Sequence, residues 1–283
     1  MMRRFGNMVL MLSVGSVTAC DTPRTPPASA AAGIAVQPHQ VTVVARNYAY
    51  QMPDTLASGL TTFHLINKGT EPHHLMFYRL DAGKTMSDAF AELKTGGPLP
   101  SWMHPVGGPN APAPGNDAWA TVSLAPGHYM AFCHIPSRDH ILHLAKGMMK
   151  DLMVVPAGGP RASMPPADLS VTLTDYAFNF SRTPVAGPQT VAIINQGTDT
   201  HELILSKLDP GKTAQDFVNW INKQDGPPPV TPYGGVTDIA PGDTILARID
   251  FTPGNYSVTC RVRAATDSVT HDLHGMNMGF TVQ

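Results

Sequence analysis

The 283 residues carry 19 basic and 21 acidic side chains, for a formal net charge of −2. Charged residues make up only 14% of the chain, against about 25% in an average globular protein, and no basic cluster stands out, which excludes a nucleic-acid binder held by phosphate contacts. With 25 glycines and 27 prolines the chain is too rich in turn residues for a helical bundle, and it is long enough for two ordinary domains.

The N-terminal stretch has the order of an export signal: basic Met1-Met2-Arg3-Arg4, the short apolar run Val9–Val17, then Val17-Thr18-Ala19 before Cys20. Small residues directly before a cysteine resemble a bacterial lipobox. Residues 1–19 are therefore expected to be a signal peptide, with Cys20 lipidated and holding an exported protein to a membrane. Residues 20–40 are rich in Pro, Ala and Ser without apolar periodicity and are expected to form a flexible tether.

From Val41 onward the chain repeats itself. VVARNYAY at 43–50 matches VTLTDYAF at 171–178, INKGTEPHHL at 66–75 matches INQGTDTHEL at 194–203, and LAPGHYMAFC at 124–133 matches FTPGNYSVTC at 251–260. Residues 41–156 and 170–283 are thus two tandem domains joined by a linker at 157–169.

Within each half, short β-branched and alternating runs such as HQVTVVARNYAY, GLTTFHLIN, QTVAIINQG and TILARIDFTPGNYSVTC predict strands bounded by turn residues. Their recurrence predicts an all-β fold, a Greek-key sandwich per half. One helix interrupts each: Thr85-Met86-Ser87-Asp88 and Thr213-Ala214-Gln215-Asp216 have capping-box form, and Phe90 with Leu93, like Phe217 with Ile221, then share a face. The Pro/Gly-rich stretches GGPLPSWMHPVGGPNAPAPG and DGPPPVTPYGG that follow are expected to be loops.

The chemistry sits in residues that keep their order in both halves. His73 follows a strand-ending turn, and Cys133, His143 and Met148 follow in the pattern C…H-x-x-x-G-M; His201, Cys260, His271 and Met276 repeat the set. Two imidazoles, a thiolate and a thioether suit a soft or borderline ion, and this set is that of a mononuclear blue-copper centre. His74 competes with His73, but position 202 is Glu; His140 competes with His143, but only His143 has the G-M spacing; Met149 and Met278 compete with Met148 and Met276. A Cys133–Cys260 disulfide would need Cα atoms within about 7 Å, which equivalent residues of two separate cores rarely achieve.

N-x-G-x-x-P-H at Asn67–His73, G-x-Y-x-x-x-C at Gly127–Cys133 and Gly254–Cys260, and H-x-x-x-G-M at His143–Met148 and His271–Met276 resemble the cupredoxin family, of plastocyanin type. The resemblance covers both halves. It implies cupredoxin-like sandwiches, one type 1 copper ion per domain, and single-electron transfer with a protein redox partner, with occupancy of both sites left open. One departure is the spacing. The second histidine stands after nine intervening residues in one half and ten in the other, a longer gap than plastocyanin-like proteins have and one that resembles the type 1 loop of copper nitrite reductases.

Cys133-His134-Ile135 is similar to a multicopper-oxidase motif, yet paired H-x-H motifs are absent, and Phe132 and Thr259 stand where a nitrite reductase has a histidine before the cysteine. The expectation is an electron carrier and not an enzyme. Two other readings compete with electron transfer: copper sequestration or delivery, favoured by the Met- and His-rich edge HGMNMG, and a metal-free interaction module.

Overall fold

Alternating burial builds the strands. In Leu169–Thr174, for example, Leu169, Val171 and Leu173 are buried while the residues between them face outward, the period of a half-buried strand. The computed structural model describes residues 1–2 and 36–283; residues 3–19 of the expected signal peptide and the lipidation site Cys20 lie outside the described residues. Among the described residues no helix is long and apolar enough to cross a membrane.

In the first half the strands are β1 (His39–Arg46), β2 (Ala49–Gln51), β3 (Thr55–Ala57), β4 (Gly59–Asn67), β5 (Met76–Leu80), β6 (Met103–Gly107), β7 (Asp117–Leu124), β8 (Gly127–Phe132) and β9 (Met149–Val155). They form one layer in the order β2-β1-β4-β7 and a second in the order β3-β9-β8-β5-β6. The parallel pairing of β1 with β4 and the antiparallel pairing of β4 with β7 give crossing, Greek-key connections. Phe63 and Phe77 meet between the layers, fully buried, with ring centroids 4.5 Å apart; burying a side chain of that size is worth roughly 1.5–3 kcal/mol.

The second half repeats this with β10 (Leu169–Thr174), β11 (Ala177–Phe180), β12 (Gly187–Asn195), β13 (His201–Leu208), β14 (Val230–Ile239), β15 (Thr244–Phe251), β16 (Gly254–Thr259) and β17 (Asn277–Val282). Its layers are β11-β10-β12-β15 and β14-β13-β16-β17. The chain is thus all-β, two tandem cupredoxin-like Greek-key sandwiches.

Each half carries its helix, α1 (Met86–Leu93) or α2 (Ala214–Lys223), and both start with complete capping boxes. The Thr85 N–H donates to Asp88 Oδ2 at 2.9 Å and the Asp88 N–H to Thr85 Oγ1 at 3.2 Å, satisfying two of the donors a helix start leaves orphaned.

Two features differ from the sequence expectation. The Pro/Gly-rich stretches expected to be loops contain β6 and the first part of β14. Both are edge strands, where Pro105 and Pro232 cost no ladder hydrogen bond, and each carries a pair of glycines at its bend. A Cβ on Gly108 or Gly235 would lie 2.0 Å from the Leu75 or Leu203 carbonyl oxygen, so only glycine lets the backbone pass.

The second difference is that the halves share a sheet. Strand β7 pairs with β15, so one eight-stranded sheet runs through both sandwiches. Ala120 lies opposite Ala247, its own counterpart in the repeat, and Pro109 bridges Val236, again its counterpart. Such self-pairing is the mark of an approximate two-fold axis, the isologous arrangement of a symmetric dimer achieved within one chain. The buried core correspondingly runs through both halves.

Candidate metal centre

Strand ends deliver the donors. Cys133 directly follows β8 and Met148 directly precedes β9, its antiparallel neighbour, so the intervening loop must return to its start. It does so through four backbone hydrogen bonds: Cys133 N–H to Met148 O, Met148 N–H to His143 O, His143 N–H to Ile135 O and Leu144 N–H to Cys133 O, at 2.9–3.1 Å. The second half makes the same four with Cys260, Met276, His271, Val262 and Asp272. The one-residue difference in loop length is absorbed at the tip, beyond the matching bridges Pro136–Leu142 and Arg263–Thr270.

Of the upstream histidines, His73 comes from the β4–β5 turn and His201 is the first residue of β13, directly after the β12–β13 turn. Asn67, fully buried, shapes the first turn by accepting the Gly69 N–H at 2.9 Å and donating to the carbonyls of Glu71 and Pro112 at 2.9 and 3.1 Å. Asn195 does the same with Gly197, Asp199 and Ile239. These turns bring each histidine against the cysteine loop. In the first half His73 Nδ1 lies 3.0 Å from His143 Nδ1, and Cys133 Sγ 3.3 Å from His143 Nδ1. In the second, His201 Nδ1 and His271 Nδ1 are 3.0 Å apart, with Cys260 Sγ 3.3 Å from His271 Nδ1 and 3.9 Å from His201 Nδ1.

His73, Cys133 and His143, and likewise His201, Cys260 and His271, hold their donor atoms within 4.8 Å of one another. All six, with Met148 and Met276, have no exposed surface. Both methionines sit in the core beside these donors, at the residue whose backbone closes the loop. Of the competitors, His140 is exposed, Met149 packs against a separate apolar cluster, and His74 points its Nε2 to the His134 N–H at 3.3 Å.

The outer nitrogens decide what the inner ones can do. His73 Nε2 meets Asn47 Oδ1 at 2.7 Å, His143 Nε2 meets Glu71 Oε2 at 3.0 Å, and His201 Nε2 meets Asp175 Oδ1 at 2.6 Å. His271 Nε2 faces Asp199 Oδ2 at a looser 3.5 Å. An oxygen acceptor at Nε2 fixes the proton there and leaves the Nδ1 lone pair pointing inward. Two such lone pairs 3.0 Å apart beside a sulfur repel each other, and a cation between them converts that repulsion into binding. The donor sets fit a copper ion on this ground: two imidazole nitrogens and a thiol sulfur converge in a dry pocket, with a thioether residue adjacent.

Burial sets the protonation of the metal-free site. It lowers His73 and His271 to about 4 and also lowers His143 and His201; it pushes the Cys133 thiol up to about 12 and raises Cys260 strongly. The imidazoles are thus neutral and ready to bind, while each thiol gives up a proton on doing so. Burial opposes ionisation of Asp175, but hydrogen bonds from Thr198 and His201 hold its carboxyl well below the usual range.

Sequence reasoning missed Asn47 and Asp175, Glu71 and Asp199, and the tyrosines Tyr48 and Tyr176, whose rings cover His143 and His271 at centroid distances of 4.9 and 4.7 Å. The signal was present in the matched repeats RNYA/TDYA and GTEPH/GTDTH. Gly69 and Gly197 belong with them. A Cβ there would come within 2.4 and 2.6 Å of the Nε2 of His73 and His201, so the repeated glycine keeps the outer hydrogen bond possible.

No family model matches the sequence, and no curated protein matches it. Among solved structures, auracyanin from Roseiflexus castenholzii aligns at 20% identity over 41% of this chain and 97% of its own, with a TM-score of 0.30. The copper-containing nitrite reductase of Thermus scotoductus SA-01 aligns at 13% identity over 87% of this chain and 62% of its own, with a TM-score of 0.26. The blue copper oxidase of Nitrosomonas europaea aligns at 14% over 87% and 86%, with a TM-score of 0.25. Likeness at this level assigns no activity. It does correct one expectation: structures aligned with most of this chain are those of copper enzymes, so the exclusion of an enzyme, which rested on missing sequence motifs, is withdrawn. What strand order and donor geometry establish is a tandem pair of cupredoxin-like sandwiches, each holding a His–Cys–His set that fits copper.

Proposed function

We propose that the protein holds one type 1 copper ion in each half, through His73, Cys133, His143 and Met148 and through His201, Cys260, His271 and Met276, and passes single electrons to and from a protein partner. The observation that carries this is the facing pair of Nδ1 atoms, 3.0 Å apart beside a cysteine sulfur in both halves. Copper bound there supplies a one-electron couple.

The chain's own residues make that couple usable. Loop-closing backbone hydrogen bonds fix the cysteine and methionine, and the oxygens of Asn47, Glu71 and Asp175 fix the planes of His73, His143 and His201. A site held this firmly reorganises little when the ion changes charge. Complete burial of every donor keeps water from the ion and supports a resident metal over one passed on to another protein.

Copper titration of the purified metal-free chain tests the reading. Two equivalents of Cu(II) should develop an intense visible thiolate charge-transfer band; Cys133→Ser and Cys260→Ser should each remove part of it and together abolish it. A colourless product with copper, or no copper bound, overturns the proposal.

A further inference from the structure

The two donor sets are not isolated from each other. Beside Cys133, the His134 backbone N–H donates to Nε2 of His74 at 3.3 Å. The next residue, Leu75, donates its N–H to the Pro109 carbonyl at 3.0 Å. Asn110 follows, and its Nδ2 crosses to the other half, donating to Glu202 Oε2 at 3.2 Å. The Glu202 N–H donates to the Cys260 sulfur at 3.3 Å. An unbroken run of covalent and hydrogen bonds therefore joins Cys133 to Cys260.

The run lies along the approximate two-fold axis. Around it the Asn110 N–H donates to the Gly235 carbonyl at 3.0 Å and the Thr237 N–H to the Gly108 carbonyl at 2.9 Å, a reciprocal pair of equivalent residues. His74 and Glu202 are themselves equivalent, and each accepts from the N–H of the residue after its cysteine, His134 or Arg261. Asn110 breaks the symmetry by linking one to the other. Beyond the exposed His134, the residues His74, Leu75, Asn110 and Glu202 are all buried, at 0–7% exposure, so the part of the run that crosses between the halves is shielded from water.

A carboxyl group in this position is costly to bury, and Asn110, which also donates to the Val236 carbonyl at 3.3 Å, does not require it. The neighbouring cross-half contact, Tyr78 O–H to Asp238, ends on no donor residue, whereas this one ends on a sulfur.

We propose that the His74–Asn110–Glu202 run couples the two centres, so that an electron received in one half moves to the other within one molecule. This rests on the copper reading above. One electron leaves the reduced centre and one arrives at the oxidised centre; no bond is made or broken and no proton is transferred.

The test uses the full chain loaded with copper in both halves, with Cys133→Ser and Cys260→Ser supplying the spectrum of each centre alone. A flash reduces a small fraction of centres, and redistribution between the bands is followed. The expected result is a first-order redistribution independent of protein concentration, slowed about tenfold or more in Asn110→Ala, the scale on which lost positioning acts, with both bands retained. A rate proportional to concentration, or one unchanged in Asn110→Ala, overturns the relay while leaving the copper reading intact; absence of both bands in the parent chain overturns both. A second readout needs neither metal nor variant. In the metal-free protein the Asn110 side-chain amide should be protected from solvent exchange in nuclear magnetic resonance spectra. A freely exchanging amide means that the link is not made, and the relay falls.

Discussion

Asn47 and Asp175 occupy the same place in the two halves, and each presents a side-chain oxygen to the Nε2 of its half's first histidine, at 2.7 and 2.6 Å. One oxygen belongs to a neutral amide and the other to a carboxylate. The second centre therefore has acids on both imidazoles, Asp175 and Asp199, while the first has only Glu71. Arg261, which stands beside Cys260, does not offset this, because it pairs with Asp272 at 2.8 Å; Lys146, near the first site, is likewise paired, with Asp139 at 2.6 Å, so the difference rests on the acids.

Anionic partners favour the more highly charged oxidised ion, so the second centre should have the lower potential. Partners of this kind are worth about ten- to a hundredfold in metal affinity, which for a one-electron couple is about 60–120 mV if it falls on one oxidation state. Asp175→Asn should raise the potential of the second centre and Asn47→Asp should lower that of the first, each leaving the other centre in place. Voltammetry of the parent and the two variants checks both shifts. Identical potentials in the parent would refute the argument.

Gly69→Ala should empty one site and spare the other. Its added Cβ would sit 2.3 Å from Asn47 Oδ1 and 2.4 Å from His73 Nε2, displacing the imidazole whose inner nitrogen faces the ion. Overpacking of this sort costs about 1–3 kcal/mol, and here it acts on a donor. Copper bound per chain, measured by elemental analysis, should fall by half in Gly69→Ala and again by half in Gly197→Ala. Full stoichiometry in either variant would show that the turn yields.

The donors were legible in the sequence because cysteine, histidine and methionine recur in register, and the helices because their caps are local. The strands β6 and β14 were not, since their prolines signal loops unless it is known that the strand lies at an edge. Nor was the fusion of the halves: β7 and β15 alternate like any strand, and nothing in Trp119 or Arg248 announces that they pair and stack, with the Arg248 guanidinium 4.8 Å over the Trp119 ring. Asn47 and Asp175 went unread for a different reason. Their role depends on an oxygen arriving 26 residues upstream of the histidine it holds, and an amide and a carboxylate in matched positions look like ordinary turn variation.

Tyr48 and Tyr176 should control how fast the ion leaves. Each is the partly exposed ring over an otherwise sealed imidazole. Tyr48 is tied down by donating to Glu71 at 3.1 Å and accepting from Ser137 at 3.0 Å; Tyr176 is held by the stacked ring of His274 at 4.7 Å. Tyr48→Ala should speed extraction of the first ion by a strong chelator about tenfold, the lower end of what outer contacts contribute, with the second ion unaffected. Loss of the visible band over time, compared between parent and variant, measures it. Equal rates would mean that the ion leaves by another route.

Metal-free protein should be most stable near neutrality. Burial lowers His73 and His271 to about 4 and His74 to about 3, so below their ordinary value of 6.5 the unfolded chain takes up protons that the folded chain refuses. Stability must then fall as the pH drops from about 6.5 toward 4, by linkage. On the other side, burial raises Glu202 to about 8. The folded chain keeps that proton while the unfolded carboxyl, ordinarily at 4.5, has lost it, so this contribution falls as the pH rises from 4.5 to about 8 and prevails once the histidines are neutral in both states, above about 6.5; the raised thiols of Cys133 and Cys260 extend the fall above pH 9. Copper removes the thiol part of the alkaline limb, because bound thiolates have already lost their protons, and leaves the Glu202 part. Thermal unfolding of the metal-free chain from pH 4 to 10 should trace a maximum near pH 6.5, and the loaded chain should lose less of its melting temperature than the metal-free chain above about pH 9. A metal-free profile that rises steadily to pH 10 would show that these groups are not buried in the charge states assigned to them.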